Sequence, residues 1–239
     1  MTSKFNIFLI LFTSLFTCNC FAQKSDKNSS KLLKETQSSY HQNVIGISEN
    51  KLLKGQKTVK TYVEKLNKQD ALIRYKTEYK VQVMQALEYE IGLSQTEKEK
   101  QLAHIIIWDK TTKKRIFEVI YNKTSDSEIP SELTEAREKW VKLCNDHNSK
   151  KLVEALYTGD AIYYNRGRVL KGHEQLTREY GYMNSPSYNL QLSPKHIERV
   201  SEDIIYEIGQ CIGSYPLPYI LVWKKQGDGT WKIFIDSNY

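Results

Sequence analysis

The chain has 239 residues, 40% of them apolar, with 16 Tyr and only 5 Pro, a composition that supports a packed core and excludes a disordered or low-complexity protein. Its formal charge is +7, but Lys alternates with Glu, as in Glu97-Lys98-Glu99-Lys100. No basic stripe with stacking aromatics occurs, so nothing supports nucleic acid as a partner.

In chain order, Lys4 precedes an apolar run over 7–16, followed by Cys20-Phe21-Ala22. This pattern predicts a secretory signal peptide over 1–22, cut before Gln23, with a run too short to span a bilayer. A competing reading makes Cys18 or Cys20 a lipid-modified terminus and adds a membrane anchor. Losing the leader removes only Lys4 among charged residues and leaves +6. The expected location is outside the cytoplasm, periplasmic or secreted.

Residues 31–39 read as a short helix anchored by Leu32 and Leu33, 43–48 as a strand, and Gly55 leads into a helix with Val59, Val63 and Leu66 inward. Strands follow from 72 to 121, with a charged hairpin tip over 94–100. The Ser- and Asp-rich stretch 122–130 ends in Pro130 and marks a domain boundary. A helix over 132–146 carries Leu133, Ala136, Trp140, Leu143 and Cys144 on one face. Ser149 is expected to cap the next helix and Gly159 to end it. A strand over 161–166, a helix bearing Leu176, Tyr180 and Met183, and four strands (188–199, 203–211, 218–224 and 231–236) complete the chain, with a tight turn at 226–229.

Tyr206-Glu207-Ile208-Gly209 repeats Tyr89-Glu90-Ile91-Gly92 at a distance of 117 residues. The same step carries Leu53-Lys54-Gly55 onto Leu170-Lys171-Gly172, Ile45 onto Ile162 and Asn67 onto Asn184. One unit is written twice. The fold class is α+β: two tandem domains, 31–121 and 131–239, each a curved antiparallel sheet laid on helices.

Trp140, Asp160-Ala161, Gly167, Gly172, Tyr206 with Gly209, Trp223-Lys224, and Gly227-Asp228-Gly229-Thr230-Trp231-Lys232 with Asp236 resemble the SnoaL-like branch of the nuclear transport factor 2-like superfamily. The resemblance covers most of 131–239. It reaches 31–121 only through the repeat, and that copy lacks a counterpart of the 132–146 helix, so it looks truncated. The resemblance implies a cone, a bent sheet around helices with a pocket at its wide end. Relatives include ketosteroid isomerases, scytalone dehydratases, epoxide hydrolases and polyketide cyclases, together with members that only bind or dimerise, so the fold does not choose a function. The steroid isomerases place their general base where counting from Asp160-Ala161 finds Asn165, and Ser48 in the first copy. An amide cannot take a proton from carbon at neutral pH.

Strand alternation puts Tyr206, Ile208 and Gln210 on one face and Glu207, Gly209 and Cys211 on the other. The expectation chosen is that Tyr206 faces the pocket and that Glu207 is solvated or paired across strands. Alternation also groups Lys232, Phe234 and Asp236, with Asp236 at the cone mouth. The candidate pocket residues are Tyr163, Asn165, Tyr182, Tyr206, Gln210, Tyr219 and Asp236. His147 and His196 are the histidines best placed for proton transfer, and His173 is expected to be exposed. No catalytic set, metal-ligand spacing or cofactor motif is identified. Cys144 and Cys211 could pair in an oxidising compartment or remain buried thiols.

Three functions follow. The leading one is an exported module that binds a small hydrophobic molecule or serves in packing. The alternatives are a lyase, isomerase or hydrolase using Asp236 or Glu207 with a Tyr donor, and a structural scaffold in which the two copies form an intramolecular pseudo-dimer or the chain forms a homodimer.

Overall fold

A computed structural model describes residues 31–165 and 167–238; the leader expected over 1–22 and Arg166 lie outside them. The first copy runs α1 (31–38), β1 (Tyr40–Ser48), β2 (Lys51–Lys54), α2 (Gln56–Gln69), β3 (Leu72–Met84), β4 (Leu87–Thr96), β5 (Gln101–Asp109) and β6 (Lys114–Lys123). The second opens with an extra helix, α3 (Ser131–Asn145), then α4 (Ser149–Leu156), β7 (Tyr157–Asn165), β8 (Arg168–Lys171) and α5 (Gly172–Glu179). A 3-10 turn (Tyr180–Asn184), β9 (Leu190–Arg199), β10 (Ile204–Gly213), β11 (Pro218–Lys225) and β12 (Trp231–Ser237) follow.

Each copy forms one six-stranded sheet, ordered β2-β1-β6-β5-β4-β3 and β8-β7-β12-β11-β10-β9. All neighbours are antiparallel except β1 with β6 and β7 with β12, because the first strand of each copy meets the last after a four-strand meander. The fold is therefore α+β in two tandem domains, as the repeat indicates.

Two helix boundaries differ from expectation. Asn148, not Ser149, caps α4, because its side chain accepts from the Lys151 amide at 2.9 Å. The helix ends at Leu156 rather than Gly159, since Tyr157 is already extended and pairs with Ile233 as the first residue of β7. The helix of 172–184 buries Leu176, Tyr180 and Met183 as its periodicity requires. Its counterpart α2 buries Val59 and Val63.

One face of each sheet is laid against the other sheet. Ile47, Ile91, Ile105 and Phe117 of the first copy share a buried cluster with Tyr164, Ile208, Val222 and Phe234 of the second. The Phe117 and Tyr164 rings stack at 4.6 Å. Each fully buried side chain of this size is worth about 2 kcal/mol, so the face holds the two domains as one body. The opposite face of the second sheet is covered by α3, α4 and α5 around Leu133, Trp140, Tyr157, Leu176, Tyr180 and Trp223. The first sheet has a smaller cluster of its own under α1 and α2, with Tyr40, Val44, Val59, Val63, Leu72 and Leu102.

Candidate functional site

The repeated Tyr-Glu-Ile-Gly stretch divides its side chains in the sense opposite to that expected. Tyr206 and Ile208 are buried between the sheets, and the Tyr206 hydroxyl donates to the Ala103 carbonyl of the first copy at 3.3 Å. Glu207 points into the cone and is wholly buried. The reason is hydrophobic. The strand offers two apolar side chains to the apolar sheet–sheet face, and the carboxylate goes where donors surround it.

Those donors are complete. Arg137 of α3 grips Glu207 with Nε at 3.0 Å and Nη2 at 2.8 Å, Tyr219 donates from 2.7 Å and Trp223 Nε1 from 2.9 Å. Burial disfavours the Arg137 guanidinium, but its bonds and ion pair with Glu207 outweigh that and raise its pKa. Gly209 makes the arrangement possible, because a Cβ there would lie 2.2 Å from the Tyr219 ring and hydroxyl. The phenol crosses the bare glycine to reach the glutamate two residues away. In the first copy Tyr75 crosses Gly92 in the same way, where a Cβ would lie 2.1 Å from its hydroxyl, and donates to Glu90 at 2.7 Å.

Asp236 is the second buried carboxylate of the cone. Alternation groups it with Phe234, but a bulge in β12 puts Phe234 and Ile235 on the sheet–sheet face and turns Asp236 inward, opposite Tyr163 of β7. Tyr157 donates to it at 2.7 Å, Tyr180 makes a second short bond, and Trp140 Nε1 donates to the Tyr157 hydroxyl at 3.0 Å. Burial raises the Asp236 carboxyl to about 6 against the lowering effect of the two phenols. Burial also pushes both phenols well above their ordinary range.

Strand registers give Asp236 a copy in the first cone, which gapless repetition conceals. Glu118 lies opposite Gly46 as Asp236 lies opposite Tyr163, a step of 118, and Tyr40, the counterpart of Tyr157, donates to Glu118 at 2.6 Å. In β5 the step is 115, since Glu90 faces Ile106 while Glu207 faces Leu221. Trp108 then matches Trp223, and each indole donates to the glutamate of its own cone, at 2.7 and 2.9 Å.

The candidate residues fall into three places. Tyr163, Asn165 and Tyr182 gather at the mouth, where the Tyr163 hydroxyl accepts from Asn165 Nδ2 at 2.9 Å and donates to Asn238 Oδ1. Tyr182 is 43% exposed, and its ring stands edge-on to Tyr180 at 6.3 Å and Tyr188 at 5.4 Å. Tyr219 and Asp236 lie deeper. Tyr206 and Gln210 belong to neither group: Tyr206 is between the sheets, and half-buried Gln210 folds onto the Cys211 carbonyl at 3.0 Å.

The histidines are engaged elsewhere. His196 stacks on Tyr79 of the first copy at 5.3 Å, and His147 Nδ1 meets the Met183 carbonyl at 3.1 Å. His173 is half-buried rather than exposed, with Nε2 3.0 Å from the Tyr157 carbonyl. Cys144 and Cys211 are free and buried, and burial pushes both thiols up to about 12.

Arg137, Tyr157 and Tyr180 were missed as site residues. A charged residue within the apolar stripe Leu133–Ala136–Trp140 is the signal for Arg137, because it needs a buried counter-ion. Tyr40 and Tyr157, exactly one repeat apart at the start of the first strand of each copy, are the signal for the phenol.

No family model matches this chain, and no curated protein matches it in sequence. Among solved structures it is similar to an NTF-2 like protein of unknown function from Shewanella oneidensis, at 16% identity over 45% of this chain and 96% of that one, with a TM-score of 0.40. A second NTF-2 like protein of unknown function, from Silicibacter pomeroyi, is 14% identical over 46% and 92%, with a TM-score of 0.38. A candidate ketosteroid isomerase from Parabacteroides distasonis is 21% identical over 49% and 91%, with a TM-score of 0.37. Each likeness spans just under half of this chain.

Proposed function

We propose that this chain is a small-molecule-binding module in which the C-terminal cone takes the ligand at its tyrosine-lined mouth and the N-terminal copy serves as a built-in dimer partner. The observation that carries the reading is Asn165. Its Nδ2 donates to Tyr163, which fixes the amide orientation, and its Oδ1 is buried without a hydrogen-bond partner. A ligand suited to this place is compact and largely apolar, with one hydroxyl or N–H donor for Asn165 Oδ1. Export through the leader over 1–22 is part of the proposal, and N-terminal sequencing of secreted material tests it.

Titration with phenol and cyclohexanol, read by tyrosine fluorescence, tests the site. The expected result is saturable binding weakened about tenfold or more by Tyr182→Ala and by Asn165→Ala. Unsaturable responses, or wild-type affinity in both variants, would remove the reading.

A second reading rests on Asp236, a carboxyl held near pH 6 by burial with two phenols on it. Such a group can hold or release a proton near neutral pH, as a lyase, isomerase or hydrolase needs. Glu207, already holding four donor bonds, is left to structure.

A further inference from the structure

The N-terminal cone contains a side-chain relay that the C-terminal cone lacks. Ser94 Oγ lies 2.8 Å from His104 Nε2, and His104 Nδ1 lies 2.9 Å from Glu118 Oε1. The three residues come from adjacent strands, β4, β5 and β6, and all are buried. The protonation pattern follows from Glu118. Burial alone would raise its carboxyl, but Arg115, His104 and Tyr40 outweigh burial and hold it down at about 2. An ionised carboxylate only accepts, so Nδ1 carries the proton, and in the neutral ring Nε2 is the acceptor that faces the Ser94 hydroxyl. That is the orientation in which a histidine takes a proton from a serine.

The fold does not require this relay. By strand register the C-terminal counterparts of Ser94, His104 and Glu118 are Cys211, Tyr219 and Asp236, and the same sheet forms around them. The cluster also keeps one unused cationic donor. Arg115 bonds Glu118 Oε1 through Nη1 at 2.6 Å, while its Nε is buried without a partner. Its guanidinium lies 5.7 Å from the centre of the Tyr75 ring, which in turn stands edge-on to His104 at 5.7 Å.

We propose that Ser94 is an activated nucleophile for acyl transfer from small esters, with His104 as its base and Glu118 as the group that orients the imidazole. Ser94 Oγ bonds to the acyl carbon as its proton passes to His104 Nε2. The bond to the leaving alcohol then breaks, and that oxygen takes the proton. Water repeats the sequence on the acyl-serine, giving the carboxylic acid and free serine. Half-exposed Tyr75, paired with Ser94 across β3 and β4, is the side chain that must swing aside for entry.

An alkyl fluorophosphonate, which phosphonylates serine with loss of fluoride, tests this on the whole chain by intact mass and peptide mapping. One adduct on Ser94 is expected, absent in Ser94→Ala and formed about 100-fold more slowly in His104→Gln, which can keep hydrogen bonds but not the base. Tyr75→Ala should speed labelling. An unlabelled Ser94 in both the wild type and Tyr75→Ala, or labelling as fast in His104→Gln, would overturn the proposal.

Discussion

The two cones share a strand order and differ in what closes them. Over the C-terminal sheet, α3 contributes Trp140 and Arg137, and the buried glutamate receives its cation from a helix. The N-terminal copy has no such helix among its described residues. There the sheet supplies its own cations, Lys80 to Glu90 at 3.0 Å and Arg115 to Glu118 at 2.6 Å. The Arg115 guanidinium lies over the rings of Tyr40, Tyr75 and Trp108 at 5.6, 5.7 and 5.0 Å. The demand for donors is thus fixed by the carboxylate, and the element that meets it is exchangeable.

The largest expected difference between the cones tests that exchange. The side chains of Arg137 and Glu207 are 8% and 0% exposed, so Arg137→Ala strands a buried charge and should cost about 3–5 kcal/mol. The Lys80 side chain is 39% exposed, so Lys80→Ala at the equivalent carboxylate should cost less than about 1 kcal/mol. Urea unfolding of the two variants measures both. Equal losses would mean that the two glutamates have the same electrostatic setting and that the missing helix is without consequence.

The second carboxylate pair should separate the cones by sign. Asp236 titrates near 6 in the folded chain, above its ordinary value of 3.8. The folded state therefore holds the extra proton between about pH 4 and 6, and this group's contribution to stability falls as pH rises through that window. Glu118, lowered from 4.5 to about 2, does the reverse. Its contribution is present above about pH 4.5 and is lost as pH falls toward 2. Each shift corresponds to about 3 kcal/mol. Asp236→Asn should flatten the stability profile between pH 4 and 6, and Glu118→Gln should flatten its acid limb. A profile unchanged by either substitution contradicts the assignment.

Architecture was legible in the sequence because it depends on periodicity and on a long-range repeat. The 117-residue step places β4 on β10 and β1 on β7, and the helical spacing of Leu176, Tyr180 and Met183 survives a change from α-helix to 3-10 turn. The site was less legible for two reasons. Alternation says which side chains share a face but not which face meets which neighbour, so Tyr206 and Glu207 exchanged roles. The hairpins joining the strands then differ in length between the copies, so the step is 115 in β5 and 118 in β6, which hid the match of Glu118 with Asp236 and of Trp108 with Trp223. The Ser94 relay was beyond sequence order altogether, since its members meet only across three strands.

The smallest expected effect settles where Tyr206 belongs. Its hydroxyl makes a 3.3 Å bond to the Ala103 carbonyl across the sheet–sheet face, and its ring is fully buried there. Tyr206→Phe keeps the ring and removes the bond, so stability should fall by about 1 kcal/mol with phenol binding at the mouth unchanged. A pocket tyrosine would behave in the opposite way, losing a ligand contact at little cost to folding. Weaker phenol binding with unchanged unfolding in urea would therefore return Tyr206 to the cone interior and, with it, reverse the facing of the entire repeated strand.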